Sequence, residues 1–451
     1  MALTLPAVKM TSEFVSKTVS VCPVCLEKIG AEYRRHASGD VYLEKTCQIH
    51  GAFSTVVWRG TPSFDDWHSL KGQEGNSAPV QADCPQACAV CDSHMHLPCC
   101  VLLEVTDRCN FLCPICYASS GSKNKADPSL AEIKRWYERL MAAGGPFNIQ
   151  LSGGEPTVRE DLPEIIRIGR SLGFPFFQLN TNGILIAQQA GYLESLVEAG
   201  LSVVYLQFDG TEDAIYRTIR GRDLIEVKQR AVERCAEAGI GVVLVPTVVP
   251  GVNDGNLGNI LRFALARVPV VRGIHIQPIC YMGRFGEQPD NAQRITLPEV
   301  IHRLVDQSGG LLQEDEFKPC TVQHARCGFQ SNYLVDASGE LTPSSAPESA
   351  CSCKTGGDPS QKRRQFVARN WTLNPEKEEP IDSNPFSAWE DYLKERQRRQ
   401  FTLSGMAFQD SWTLDIDRLQ RCCIMIANRE GKPIPFCAYN LTGMDGTALY
   451  R

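Results

Sequence analysis

Glu104-Val-Thr-Asp-Arg-Cys109-Asn-Phe-Leu-Cys113-Pro-Ile-Cys116-Tyr-Ala118 is the stretch on which the fold turns. The apolar run Val101 to Val105 before it predicts a strand, and the residues from Pro128 to Ala143 predict a helix. The motif therefore sits at a strand's carboxyl end. Three thiolates spaced Cys-x3-Cys-x2-Cys can hold three irons of a cubane, leaving the fourth iron without a protein ligand and open to a small molecule. Zinc or buried structural cysteine is the competing explanation, because Cys84, Cys88 and Cys91 share the spacing.

The surroundings separate the two triads. The next strand, Phe147 to Leu151, ends in Ser152-Gly153-Gly154-Glu155-Pro156. Paired glycines let backbone approach a ligand closely. Carbonyls and Glu155 suit an ammonium group. Further strands are predicted at Phe176 to Leu179, Ser202 to Gln207, Gly241 to Thr247 and Gly273 to Gln277. Helices are predicted across Leu162 to Leu172, Ala187 to Ala199, Leu224 to Ala238 and Leu257 to Ala266. Such alternation implies a parallel sheet with right-handed crossovers. Six units are too few for a closed eight-stranded barrel, so a partial (β/α)6 barrel is expected, with ligands at the carboxyl ends of its strands. Asn180, Asn182, Gln207, Asp209, Thr247 and Gln277 fall at those ends, where ordinary turn chemistry explains them equally well.

Twenty cysteines in a chain of 451 residues read as metal ligands before disulfides. The amino terminus lacks the apolar region of a signal peptide. Ile240 to Val252, broken by Gly and Pro, is too short to span a bilayer. A cytoplasmic protein without a transmembrane segment is expected, with peripheral membrane contact left open. A net charge of −6 gives no reason to expect nucleic acid. Three stretches follow from composition: a cysteine-rich module over 1–99, a core over 100–285, and a loop-rich, cysteine-bearing module over 310–451.

Cys-x3-Cys-x2-Cys followed by Gly-Gly-Glu-Pro at the next strand end resembles the radical S-adenosylmethionine (SAM) superfamily. The flanking segments Cys22-Pro-Val-Cys25, Cys47-Gln-Ile-His50, Cys84 to His94, Cys320 to Cys327, Cys422-Cys423 and Cys437 resemble a family within it. That family includes archaeal tetraether lipid synthase and bacterial relatives, some in three-component systems beside a methyltransferase. The resemblance runs from about Val19 to Asn440.

The resemblance implies a [4Fe–4S] cluster on Cys109, Cys113 and Cys116. Beside it, SAM contacts Gly153 to Pro156 and the later strand ends. An electron must enter that cluster, so a low-potential donor of flavodoxin or ferredoxin type is expected. SAM is then cleaved to methionine and a 5′-deoxyadenosyl radical that removes hydrogen from a substrate. It further implies auxiliary [4Fe–4S] clusters, for which Cys84, Cys88, Cys91, Cys320, Cys327, Cys422 and Cys437 are candidates. A mononuclear site would use Cys22, Cys25 and Cys47 with His50, holding iron or zinc. Bond formation at an unactivated alkyl carbon of a lipid leads, and such an enzyme should hold a deep apolar cavity. Radical modification of a peptide or small metabolite is the alternative. An electron carrier without radical chemistry is the third option, and it would need no ammonium pocket.

Overall fold

The structure, a computed structural model, describes residues 12–68, 84–86, 88, 94–121, 126–286, 288–320, 322–344, 359–373 and 395–451. Four antiparallel strands open the chain: β1 (Glu13–Val21), β2 (Lys28–Arg35), β3 (Val41–Cys47) and β4 (Gly51–Trp58). They pair in chain order, because each is joined to the next by a tight turn. This sheet docks on the rest through Thr18 to Asp415 (2.7 Å) and the Val56 amide to Asn291 (2.9 Å).

The second sheet is built from β5 (Cys100–Thr106), β6 (Asn148–Gly153), β7 (Phe177–Thr181), β8 (Val203–Gln207), β9 (Gly241–Val245), β10 (Thr247–Val248) and β11 (Val271–Pro278). Between them run α1 (Leu130–Ala142), α2 (Leu162–Ser171), α3 (Ile184–Gln188), α4 (Tyr192–Glu198), α5 (Asp213–Arg220), α6 (Ile225–Glu237) and α7 (Leu257–Leu265), and α8 (Leu297–Gln307) follows β11. The first crossover shows why these segments are helical. Ser129 and Glu132 form a reciprocal capping box, and Ile133, Trp136, Tyr137 and Leu140 recur on one buried face. Truncating Leu140 to Ala there would cost about 2–5 kcal/mol. The single helix expected across Ala187 to Ala199 is two helices, interrupted at Gly191, whose φ is +77°.

The carboxyl-terminal stretch extends the same sheet. It contributes β12 (Lys318–Pro319), β13 (Gly328–Val335), β14 (Leu341–Pro343), α9 (Pro359–Trp371), β15 (Gln400–Met406), α10 (Ile416–Gln420), β16 (Ile424–Ala427), β17 (Pro433–Pro435) and α11 (Phe436–Tyr439). β15 pairs in parallel with β11, and β16 in parallel with β5, Ile424 opposite Cys100. The barrel arc thus runs β15-β11-β9-β8-β7-β6-β5-β16. Both of its edges, which six strands alone would leave unpaired, are covered by this chain's own later segments. α9 crosses the amino ends of the strands. A Cβ on Gly241 of β9 would lie 2.5 Å from the Trp371 carbonyl oxygen, so the two backbones are in direct contact.

Candidate radical and metal sites

The loop after β5 carries Cys109, Cys113 and Cys116, all partly accessible to one cavity of about 270 Å³. Arg284 fixes this loop. Its Nε donates to the Cys113 carbonyl (2.8 Å) and its Nη1 to the Ser120 carbonyl (3.1 Å). Its backbone and that of Cys116 exchange both hydrogen bonds, at 2.8 and 2.9 Å. Gly283 is required beside it, since a Cβ would stand 2.3 Å from the Tyr117 carbonyl oxygen. Replacing Arg284 by Ala should lower the iron retained by this loop and the activity that depends on it by about 10- to 100-fold, the usual effect of losing groups that orient metal ligands. Iron assay of the purified variant checks this.

Gly153 and Gly154 serve the same loop. Gly153 has φ +125°, and a Cβ on Gly154 would lie 2.0 Å from the Arg108 carbonyl oxygen. The Gly154 and Glu155 amides donate to the carbonyls of Thr106 (2.8 Å) and Arg108 (2.9 Å). The Glu155 side chain is buried and committed to the protein. It accepts from Thr157 Oγ1 (2.6 Å), Thr181 Oγ1 (2.7 Å) and the Asn182 amide (2.7 Å), while burial raises its pKa. Glu155 therefore ties the end of β7 to the loop after β6. Asn182 carries the tie onward, its Nδ2 donating to Asn110 Oδ1 at 2.7 Å.

The structure brings most of the sequence-derived site together. Cys109, Cys113, Cys116, Gly153, Gly154, Glu155, Asn180, Asn182, Gln207, Thr247 and Gln277 line the cavity, whereas Pro156 and Asp209 do not. Asp209 is fully buried and accepts from Arg220 Nε (2.8 Å) and the Thr247 amide (3.1 Å). Arg220, at the end of α5, reaches the cavity close to Cys113 and carries positive charge to the cluster loop. No spacing in the sequence marked it. Burial, with Glu155 and the other two thiols nearby, pushes the Cys109 thiol up to about 12. Three thiols opening onto one cavity fit a cubane with one free corner.

Inward from the loop, alternate strand residues continue the lining: Cys100 and Leu102 of β5, Asn148 and Gln150 of β6, Gln178 and Asn180 of β7, Tyr205 and Gln207 of β8, His275 and Gln277 of β11. Most are uncharged polar groups. Burial holds the His275 imidazole down to about 3, so it is neutral, and its Nδ1 pairs with Ser404 Oγ at 2.9 Å. One side wall is apolar, formed by Ile279, Met282, Met406, Phe408 and Phe436. The lining mixes apolar side chains with carboxamides and is not the uniform Leu, Ile, Val and Phe expected for an alkyl chain.

In the amino-terminal sheet, Cys22, Cys25, Cys47 and His50 gather with their ligand atoms all within 4.8 Å of one another. His50 Nδ1 lies 3.5 Å from Cys22 Sγ and 3.4 Å from Cys47 Sγ. Backbone amides of Ile49 and His50 pull the Cys47 thiol down to about 6, favouring the thiolate a metal needs. Four ligands with no open position make a structural site. Cys22→Ser should release this metal and raise amide exchange in β1 to β4, while leaving iron at the Cys109 loop; metal analysis with hydrogen exchange checks it.

The remaining cysteines fall into several neighbourhoods. Cys84 and Cys88 lie 4.0 Å apart, and Cys91 falls outside the described residues, as do Cys351 and Cys353. Cys327, Cys422 and Cys437 are neighbours: burial first raises the Cys422 and Cys437 thiols, with Cys437 and Cys327 adding to the rise at Cys422 and Cys327 to that at Cys437, and Cys280 adjoins Cys437. Cys320, pushed up to about 11 by burial, sits between Cys327 and Cys99. Cys99 in turn contacts Cys423.

Residues 103–264 match the model of the Radical SAM superfamily, and residues 14–59 match an HMPTM N-terminal zinc ribbon domain. The chain is 34% identical to a 7,8-dihydro-6-hydroxymethylpterin dimethyltransferase of Methanocaldococcus jannaschii, over 94% of this chain and 93% of that one. The chain belongs to the radical SAM superfamily, in the family of that dimethyltransferase. As a radical SAM enzyme it uses a [4Fe–4S] cluster and SAM, with a further metal site in the ribbon. It is also 30% identical to a probable GTP 3′,8-cyclase of Methanothermobacter thermautotrophicus, over 39% of this chain and 56% of that one. Solved structures similar to it include methylornithine synthase (18% identity, 47% of this chain and 64% of that one, TM-score 0.38). Another is Streptococcus suis SuiB bound to S-adenosylmethionine (13% identity, 44% of each chain, TM-score 0.35).

Proposed function

We propose that this enzyme abstracts hydrogen from a carbon of a small, polar, planar heterocycle of the pterin class, activating that carbon for carbon–carbon bond formation with a methyl group from a separate one-carbon donor. The observation that carries this is the barrel lumen. The strand positions that usually pack Val, Ile and Leu here present Gln150, Gln178, Tyr205, Gln207, His275 and Gln277 to a cavity. Within the protein Gln207 donates to Asp209 and His275 pairs with Ser404. A ligand rich in donors and acceptors can pair with the carboxamides among these groups, and an alkyl chain cannot. The relative's name, a dimethyltransferase of a hydroxymethylpterin, points the same way.

Cys109, Cys113 and Cys116 would hold the [4Fe–4S] cluster, which would supply the electron for cleavage of SAM to methionine and a 5′-deoxyadenosyl radical. The protein's own contribution is placement. Gly153, Gly154 and Glu155 hold the ends of β6 and β7 against the cluster loop, and Arg220 brings a cation beside Cys113. A flavodoxin- or ferredoxin-like protein is the donor we expect. No described helix is long and apolar enough to cross a membrane. We assign Cys327, Cys422, Cys437 and Cys280 to an auxiliary cluster on the strength of their mutual proximity.

A lipid alkyl chain is the second reading. The apolar wall of Ile279, Met282, Met406, Phe408 and Phe436 favours it, as does the resemblance to a lipid-coupling family. The two readings part in one assay. With reductant and SAM, 7,8-dihydro-6-hydroxymethylpterin should stimulate 5′-deoxyadenosine formation over the substrate-free rate. An archaeal diether phospholipid in detergent should not. The reverse pattern would move the assignment to the lipid.

A further inference from the structure

The loop that carries Cys109, Cys113 and Cys116 has an outer face as well as an inner one. Between its cysteines, Asn110, Leu112 and Pro114 are exposed. Phe111 is buried against Ile184, Tyr216 and Leu224, which anchors the loop inward, while Leu112 stays 70% exposed. α5 ends at Gly221, whose φ is +81°, and the turn sets the exposed Arg222 over the Phe111 ring, its guanidinium carbon 5.4 Å from the centroid. Where the loop leaves β5, Arg108 pairs with Asp127 at 2.6 Å and Arg429 with Asp107 at 3.3 Å. In both pairs the cation stands out and the carboxylate is recessed. The Arg108 and Arg429 side chains are 57% and 54% exposed, against 19% for Asp127 and 21% for Asp107. Leu112 is thus flanked by outward guanidinium groups on a chain whose net charge is −6.

A single apolar side chain at a surface needs no explanation by itself. This one sits on the same short loop as the ligands of the centre that must receive an electron. Electron transfer falls off steeply with distance, so a donor has to bring its own centre against a surface close to that loop. We propose that the outer face of the cluster loop, Leu112 with Arg108, Arg222 and Arg429, is the docking surface for an acidic, low-potential electron carrier of flavodoxin type. Leu112 is the apolar anchor at the centre, and the guanidinium groups meet carboxylates of the partner at the rim. The inference rests on the donor named above and adds where it binds. In the step itself the reduced flavin gives up one electron, the centre held by the three thiolates takes it up, and no bond between the two proteins forms or breaks. Arg284 and Gly283 fix the loop from within, which leaves its outer side chains free to meet a partner.

The test compares two reductants on the anaerobic holoenzyme. Formation of 5′-deoxyadenosine from SAM is measured with flavodoxin hydroquinone and, separately, with dithionite, which needs no docking surface. Leu112→Glu and Arg222→Glu should each raise the KM for flavodoxin about tenfold, equal to about 1.4 kcal/mol. Both should keep the wild-type iron content and dithionite-driven rate, which shows that they are folded and loaded. Added salt should weaken the flavodoxin-driven reaction of wild type more than that of Arg222→Glu, because exposed charges are screened. Arg396→Glu, an exposed charge ahead of β15 at the amino ends of the strands, should match wild type with both reductants. If Leu112→Glu and Arg222→Glu keep the wild-type KM for flavodoxin, this face is not the docking surface, and the expected donor survives. Capture of wild type but not of those variants by anionic phospholipid vesicles, with that KM unchanged, would give the face to a membrane instead. If flavodoxin fails to drive a wild-type enzyme that dithionite drives, the expected donor falls and takes this inference with it.

Discussion

Replacing Cys109, Cys113 and Cys116 together by Ala removes about four irons per chain, one cubane's worth, and abolishes reductant-dependent cleavage of SAM. Iron held elsewhere stays, because Cys327, just before β13, Cys422, just after α10, and Cys437, in α11, neighbour one another on segments other than the β5 loop. The ribbon metal also stays, its ligands being confined to the amino-terminal sheet. Iron analysis with Mössbauer spectroscopy of wild type and variant measures both. A wild type holding four irons or fewer would remove the auxiliary cluster. A triple variant that still cleaves SAM would remove the radical site from the β5 loop.

Gly154→Val has the second large effect, and the structure changes its reason. The sequence pointed to close approach of a ligand to the glycine backbone. The closest approach is internal: the added Cβ would meet the Arg108 carbonyl oxygen at 2.0 Å, with the Arg108 carbonyl carbon at 2.7 Å. Neither can rotate away as a side chain would. The loop after β6 must part from the cluster loop, breaking the amide bonds from Gly154 and Glu155. Overpacking of this kind costs about 1–3 kcal/mol, and a shift of about 1 Å at a reacting centre costs about 100-fold in rate. SAM cleavage per cluster should fall by that order, and cluster occupancy with it. Wild-type occupancy and rate in Gly154→Val would show that the two loops do not pack as described.

Much of the core was legible because parallel strands and helices alternate with opposite periodicities, and because the cysteine triad and the Gly-Gly-Glu-Pro turn occupy successive strand ends. The lumen leaves a trace in the sequence as well. A strand of a parallel sheet buried on both faces should be almost continuously apolar. Ile149-Gln150-Leu151, Phe177-Gln178-Leu179-Asn180 and His275-Ile276-Gln277 alternate instead, and these polar residues face the cavity. The edge strands β15 and β16 were not legible. They pair with β11 and β5 across more than a hundred intervening residues, and no local pattern encodes such partners. Nor was α9, whose face is mostly polar. The cysteine groupings were out of reach for the same reason, since Cys280 joins Cys437 only through the folded barrel. Ligand spacing succeeded where ligands are local, at Cys22, Cys25, Cys47 and His50.

The most direct test of the account is isotope transfer from substrate to cofactor product. 7,8-Dihydro-6-hydroxymethylpterin, deuterated at its carbon positions, is incubated with the reduced holoenzyme and SAM, and 5′-deoxyadenosine is examined by mass spectrometry. A substrate whose carbon loses hydrogen to the 5′-deoxyadenosyl radical passes its deuterium to that product, so the account predicts deuterated 5′-deoxyadenosine. Product formed in the presence of this pterin with no deuterium, alongside deuterium gained from a labelled alkyl lipid, would contradict it.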